Sequence, residues 1–140
     1  MRLKAMAKIN LGLDVLGKRE DGYHEVRMIM QTIRMYDILD IRKTRRPGIV
    51  LTTNLPFIPT DQRNLVYKAA QMLMEEFDVE EGLSIKLRKF IPVAAGMAGG
   101  SSDAAAAFVG VNRMFHLGLT EEQLMERAVK VGADVPYCIM

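Results

Sequence analysis

The sequence predicts a single mixed domain of the α+β class, residues 1–140, in which a sheet of several strands carries about three helices. Three observations point there. Apolar and polar residues alternate near the N-terminus, apolar residues recur at helical spacing later in the chain, and a 140-residue chain that is 49% apolar can close one hydrophobic core but is short for two.

From Leu3 to Val15 the odd positions Leu3, Ala5, Ala7, Ile9, Leu11, Leu13 and Val15 are apolar, while Lys4, Lys8, Asn10 and Asp14 fall between them. This period of two predicts a half-buried strand, with Lys8 and Asn10 leaving on one face, opposite the core. Gly17 to Gly22 is turn chemistry, and the apolar run Tyr23 to Ile33 reads as the returning strand of a hairpin. Further strands are expected at Ile38 to Arg42 and Ile49 to Thr53, with Arg42 to Gly48 as a solvated hairpin tip between them. Asp61 is the expected N-cap of a helix running from Asn64 to Phe77, whose apolar stripe is Leu65, Ala69, Met72 and Leu73. A strand follows from Leu83, where Leu83, Ile85 and Leu87 alternate with Ser84, Lys86 and Arg88. After a small-residue loop, Ala104, Ala107, Phe108, Val111 and Phe115 predict a helix, and a Thr120…Gln123 capping box opens another that stops at Gly132.

Composition excludes more than it assigns. The net charge of +2 creates no strong field to recruit nucleic acid or an acidic membrane, so neither is expected as a partner. A single cysteine, Cys138, rules out an intramolecular disulfide and fits a reducing compartment, the cytoplasm by default. No apolar run has the form of a signal peptide or a membrane span. The eleven methionines are gap-fillers for a core.

The segment Pro92 to Ser102, continuing to Asp103, places small residues between a strand and an alanine-rich helix. The first amide groups of a helix lack intrahelical partners and carry about half a positive charge, so loop and helix together suit a phosphate. The same Gly-Gly-Ser-Ser run also turns corners and caps helices, and it needs support from elsewhere. No Lys follows the glycines as in a P-loop, and their spacing does not fit G-x-G-x-x-G. The charged groups must then come from distant segments, Lys8 and Asp134 being the obvious candidates. Taken singly, Lys8 is also an ordinary surface strand lysine and Asp134 an ordinary turn or N-cap aspartate.

Residues 92 to 102 resemble the nucleotide loop of the GHMP kinase superfamily, the group of galactokinase, homoserine kinase, mevalonate kinase and phosphomevalonate kinase. More narrowly, Ala7-Lys8-Ile9-Asn10-Leu11, Asp21-Gly22-Tyr23-His24, the loop, and Gly132-Ala133-Asp134-Val135-Pro136 occur in the order typical of the branch that phosphorylates a cytidyl diphosphate sugar alcohol. The resemblance implies an N-terminal, ATP-binding domain of the α+β class, with a mixed sheet, packed helices and a left-handed β-α-β crossover at the nucleotide loop. It implies ATP with Mg²⁺ as cofactor and a second, C-terminal domain absent from this chain, without which little activity is expected. By position, Lys8 and Asp134 become the catalytic pair. Ala94, Ala95, Gly96, Met97, Ala98, Gly99, Gly100, Ser101, Ser102, Asp103 and Ala104 become the ATP loop, with Asn64 near the adenine. Asn10, Tyr23 and His24 become substrate contacts, the last two at the cytosine ring. No residue is assigned to a metal; the ion comes with the nucleotide.

The loop departs from the commonest pattern at Met97 and at Ala98, where a glycine often sits and where a positive φ would be harder to reach. Two rival readings stand beside the first. A homoserine or mevalonate type of kinase would share the loop but not Tyr23-His24. A non-enzymatic nucleic-acid-binding module would use the basic residues Arg42, Lys43, Arg45 and Arg46, which otherwise form a solvated turn.

Overall fold

A computed structural model of the chain describes residues 1–18, 24–91 and 99–140. Among these the elements run β1 (Arg2–Lys18), β2 (His24–Thr44), β3 (Ile49–Thr53), α1 (Leu65–Glu76), β4 (Gly82–Arg88), α2 (Gly99–Met114), α3 (Glu121–Ala128) and a short α4 (Val135–Ile139). The strands form one mixed sheet in the order β1-β2-β4-β3, antiparallel except for the parallel pair β3 and β4. The α+β class is as expected. The parallel pair is joined through α1, so a β-α-β unit stands immediately before the glycine-rich segment.

β1 and β2 are longer than the periodicity implied. The pairing extends from Arg2 with Asp40 to Lys18 with His24, and the expected strands Tyr23 to Ile33 and Ile38 to Arg42 belong to one element from His24 onward. No glycine or proline interrupts residues 24 to 46, so nothing there favours a turn. Register shifts between Met6 and Lys8, Asn10 and Gly12, and Val15 and Gly17 break the ladder instead. Bulges of this kind let a long strand bend without ending.

Arg42 to Gly48 is not a hairpin tip. β4 is inserted between β2 and β3, so the chain from Thr44 to Ile49 crosses the end of a strand that comes later in the sequence. Gly48 makes this crossing with φ +107°, and its carbonyl accepts from the Leu83 amide at 2.9 Å. At Gly82 the two segments are pressed together: a Cβ there would stand 1.8 Å from the Arg46 carbonyl oxygen.

The N-cap of α1 is Asn64, not Asp61. Its side chain accepts from the Val66 amide at 2.9 Å, whereas Asp61 is bound to the Arg63 guanidinium and amide, each at 3.0 Å. The shorter reach from Asn64 to the first free amide decides the competition. At α3 the expected capping box is present, but the helix ends at Ala128; the Val131 and Gly132 amides still reach the Ala128 carbonyl at 3.0 and 3.2 Å, closing a turn without extending the helix.

The core lies between one face of the sheet and helices α1 and α2. Leu39 and Ile41 of β2, Leu51 of β3 and Leu83, Ile85 and Leu87 of β4 meet Val66, Ala69, Ala70 and Leu73 of α1 and Ala104, Ala107, Phe108 and Val111 of α2. Phe108 is fully buried, which is worth about 1.5–3 kcal/mol of transfer free energy. The alanines and Gly110 let α2 approach closely; a Cβ on Gly110 would come within 2.7 Å of Ile41 Cδ1. Among the described residues no helix is long and apolar enough to cross a membrane.

Candidate functional site

The glycine pair Gly99-Gly100 enters the helix rather than the loop, so α2 opens at Gly99. Its first-turn amide groups, from Gly99 to Ser102, have no intrahelical carbonyl to bind and point a partial positive charge outward. Gly100 is exposed and Ser101 half-buried, which leaves backbone and hydroxyl open to a ligand. Ser102 and Ala104 are buried, and the Ser102 hydroxyl donates to the Met6 carbonyl of β1. That bond ties the start of α2 to β1 two positions before Lys8. The expected loop residues Ala94, Ala95, Gly96, Met97 and Ala98 lie outside the described residues.

α1 begins at the same end of the layer. A Cβ on Gly100 would be in ordinary contact with Leu65 Cδ1 at 3.9 Å, so Asn64 stands beside the opening of α2. Asn64 already spends part of its amide group on structure, donating to the Pro59 carbonyl at 2.9 Å while it caps Val66. One N–H and one lone pair remain for a ligand.

Lys8 and Asn10 lie in an unbroken three-residue register, opposite Thr32 and Met30 with Ile9 opposite Gln31, flanked by shifts on both sides. His24 opens β2 opposite Lys18. The side chains of Lys8, Asn10 and His24, and Tyr23 entirely, lie outside the described residues. Asp134 is exposed at the N-cap position of α4, with φ −90° and ψ −12°, and makes no side-chain cap bond. Both α4 and β1 pack on α2. The elements that carry Lys8 and Asp134, distant in sequence, are thus assembled around the helix whose first turn is the candidate anion site.

The sequence reading missed a buried ionic cluster at this point. Lys89 follows β4, and its Nζ lies 2.6 Å from Asp37 Oδ2 and 2.7 Å from Asp103 Oδ2. Asp37, fully buried in β2, also accepts from the Phe90 and Ile91 amides at 2.6 and 2.8 Å. One ammonium cannot neutralise two buried carboxylates. Burial acts to raise the pKa of Asp37, but its bonds to the Asp103 carboxyl, the Ile91 amide, Lys89 and the Phe90 amide outweigh burial and hold it below the ordinary value. At Asp103 burial dominates, aided by the neighbouring Asp37 carboxylate and opposed by Lys89, and its pKa is pushed up to about 8. For Lys89 burial acts downward, yet the carboxylates of Asp103 and Asp37 prevail and raise it. The signal was available: Asp37 stands in the run Met35-Tyr36-Asp37-Ile38-Leu39, and a carboxylate inside an apolar strand demands a partner. Asp103, expected at the nucleotide, has its side chain turned into this cluster.

The first turn of α2, with Gly100 exposed and the Ser101 hydroxyl half-buried, has the donor set for a phosphate. Among the described residues no group of three or more His, Cys, Asp or Glu could hold a metal ion. The basic residues Arg42, Lys43, Arg45 and Arg46 are exposed, with Lys43 Nζ 4.0 Å from Glu81 and 5.3 Å from the Phe115 ring centroid.

The chain has relatives. The family model described as the GHMP kinases N terminal domain matches residues 64–140. A protein of Caldicellulosiruptor bescii named 4-diphosphocytidyl-2-C-methyl-D-erythritol kinase is 56% identical over 140 residues, covering 100% of this chain and 49% of the relative. A crystal structure of 4-(cytidine 5'-diphospho)-2C-methyl-D-erythritol kinase superposes with a TM-score of 0.81 at 34% identity, over 99% of this chain and 48% of that one. A mevalonate kinase structure, at 17% identity and a TM-score of 0.72 over 98% of this chain and 47% of that one, shares the fold. The chain therefore spans about half the length of the curated relatives it matches.

Proposed function

The chain belongs to the GHMP kinase family, and on that premise we propose that it forms the ATP-binding domain of an enzyme that phosphorylates the 2-hydroxyl of 4-diphosphocytidyl-2-C-methyl-D-erythritol. The reaction is a step of the non-mevalonate route to isoprenoid precursors, carried out in the cytoplasm. The domain acts with a second, C-terminal domain that corresponds to the other half of its relatives' length.

The observation that carries this reading is the first turn of α2, tied by Ser102 to β1 just before Lys8, on a helix against which α4, with Asp134 at its start, also packs. Phosphoryl transfer asks a protein for positioning and charge neutralisation more than for covalent chemistry. In this reading the segment 94 to 104 holds the β- and γ-phosphates through backbone amides and the Ser101 hydroxyl, while the Asp103 side chain faces Lys89 and touches no phosphate. Asn64 supplies its remaining amide donor near the adenine. Lys8 neutralises charge at the transferring group. Asn10 orients the acceptor hydroxyl, and Tyr23 and His24 hold the cytosine ring by stacking and hydrogen bonding. Asp134 takes the hydroxyl proton as the oxygen attacks the γ-phosphorus, the bridging P–O bond breaks and ADP departs. Mg²⁺ bound with ATP would supply neutralisation of its phosphate charge.

The test is ATP consumption by the full-length protein, offered the cytidyl diphosphate substrate, mevalonate and homoserine side by side. Turnover with the first alone is expected. Turnover with either of the others and not the first would reassign the acceptor. Tight, salt-sensitive RNA binding with indifference to ATP would overturn the kinase reading altogether.

A further inference from the structure

We propose that Asp37, Lys89 and Asp103 form a buried clasp that sets the two ends of the nucleotide loop relative to each other, making all three positioning residues for ATP. The inference rests on the loop's assignment to ATP and goes beyond it.

Lys89, Phe90 and Ile91 are the last described residues before the segment 92–98, and Asp103 stands in the second turn of the helix that follows it. Lys89 bonds to Asp103, and Asp37 bonds to Lys89 and to the amides of Phe90 and Ile91. Entry and exit of the loop are therefore held by one cluster anchored on β2, a central strand of the sheet. The geometry is built from buried groups: the side chains are 0% (Asp37), 6% (Lys89) and 3% (Asp103) exposed.

Such a cluster is a poor device for stability alone. Removing the Asp37 carboxylate and the Lys89 ammonium from water costs several kcal/mol per ion, with the Asp103 carboxyl buried beside them, and apolar replacements of similar volume are often as stable or more so. An ion cluster does, however, specify geometry, because each bond has a length and a direction that apolar packing lacks. The cluster joins the described residues on both sides of the proposed phosphate site, and phosphate binding by amides tolerates little displacement. Charge acts in the same direction. Negative charge on Asp103, one turn inside α2, would oppose an anion at the helix start; burial holds its carboxyl protonated and the Lys89 ammonium beside it offsets any charge that forms. Asp103 Oδ1 is buried without a hydrogen-bond partner, so the carboxyl is held by Lys89 through its other oxygen.

The test is nucleotide affinity measured by calorimetric titration of Mg-ATP into full-length protein, with the folded fraction of each variant fixed by urea titration. Asp103→Asn keeps an acceptor for Lys89 and should bind ATP within about threefold of the parent. Lys89→Met/Asp103→Leu removes the Lys89–Asp103 contact while filling the space and leaves Asp37 on the Phe90 and Ile91 amides; it should fold cooperatively yet bind ATP at least tenfold more weakly. A double variant that is folded and binds like the parent overturns the clasp, as does an Asp103→Asn variant as weak as the double. Should the double variant not fold, Asp103→Ala decides: affinity equal to that of Asp103→Asn overturns the inference, and a further tenfold loss supports it. A parent protein that binds no ATP would instead refute the function on which the inference rests.

Discussion

Lys89 and Asp103, 14 positions apart and on either side of the glycine-rich segment, are joined by a 2.7 Å ion pair in which both side chains are almost wholly buried. Removing the cation alone leaves the ionised Asp37 carboxylate buried beside the Asp103 carboxyl without a counter-charge. Lys89→Met should therefore cost about 3–5 kcal/mol, read as a lower urea midpoint at unchanged slope. Adding Asp103→Leu should restore part of that loss, which a purely local packing effect would not do.

The same cluster predicts how stability varies with pH. Asp103 keeps its proton in the folded state up to about pH 8, whereas in the unfolded chain it ionises near the ordinary value of 3.8. Its contribution is fully present below that ordinary value and is lost as pH rises through about 8. The slope from this one group cannot exceed about 1.4 kcal/mol per pH unit. Urea midpoints of the parent should fall across this window relative to those of Asp103→Asn; parallel profiles would refute the assignment.

At Gly82 a Cβ would stand 1.8 Å from the Arg46 carbonyl oxygen, a backbone atom that cannot swing aside as a side chain does. Gly82→Ala should lower stability by about 1–3 kcal/mol, judged by thermal or urea midpoints. At Gly100 the nearest atom is Leu65 Cδ1 at 3.9 Å, so Gly100→Ala should leave the midpoint unchanged or raised by up to about 1 kcal/mol.

Asn64 joins structure to the proposed site. Losing the cap on the Val66 amide should cost about 1 kcal/mol in Asn64→Ala. Asn64→Asp retains the capping oxygen, so it should recover most of that stability. If the amide also contacts adenine, Asn64→Asp will still bind ATP more weakly than the parent; equal affinity would confine Asn64 to its cap.

For the proposed chemistry, Asp134→Asn should lower kcat by about 10²–10⁴-fold with little change in the KM for ATP. Lys8→Ala should lower kcat/KM strongly at unchanged folded fraction. Full activity in both would remove them from the mechanism.

Much of the fold was legible because it is written in local patterns. The alternation of Leu83, Ile85 and Leu87, the spacing of Ala104, Phe108 and Val111, and the Thr120…Gln123 box each depend on residues within a few positions, and all three hold. The motifs around Lys8, the loop and Asp134 were legible in the same way and identified the family, although the side chains of Lys8 and Asn10 and the residues 92–98 lie outside those described. Arg42 to Gly48 misled because its neighbour in the sheet is β4, a partner from far along the chain that no local pattern reveals.

By itself, then, the sequence determined the domain class, most of its elements and the kinase motifs, because periodicity and capping are short-range effects. Tertiary structure alone decided that β4 enters between β2 and β3, that Ser102 fastens α2 to β1, and that Asp37, Lys89 and Asp103 meet. The reason is common to all three. A buried charge or an unpaired strand edge states a need for a partner, and only the folded chain, by excluding water, determines which distant group meets it.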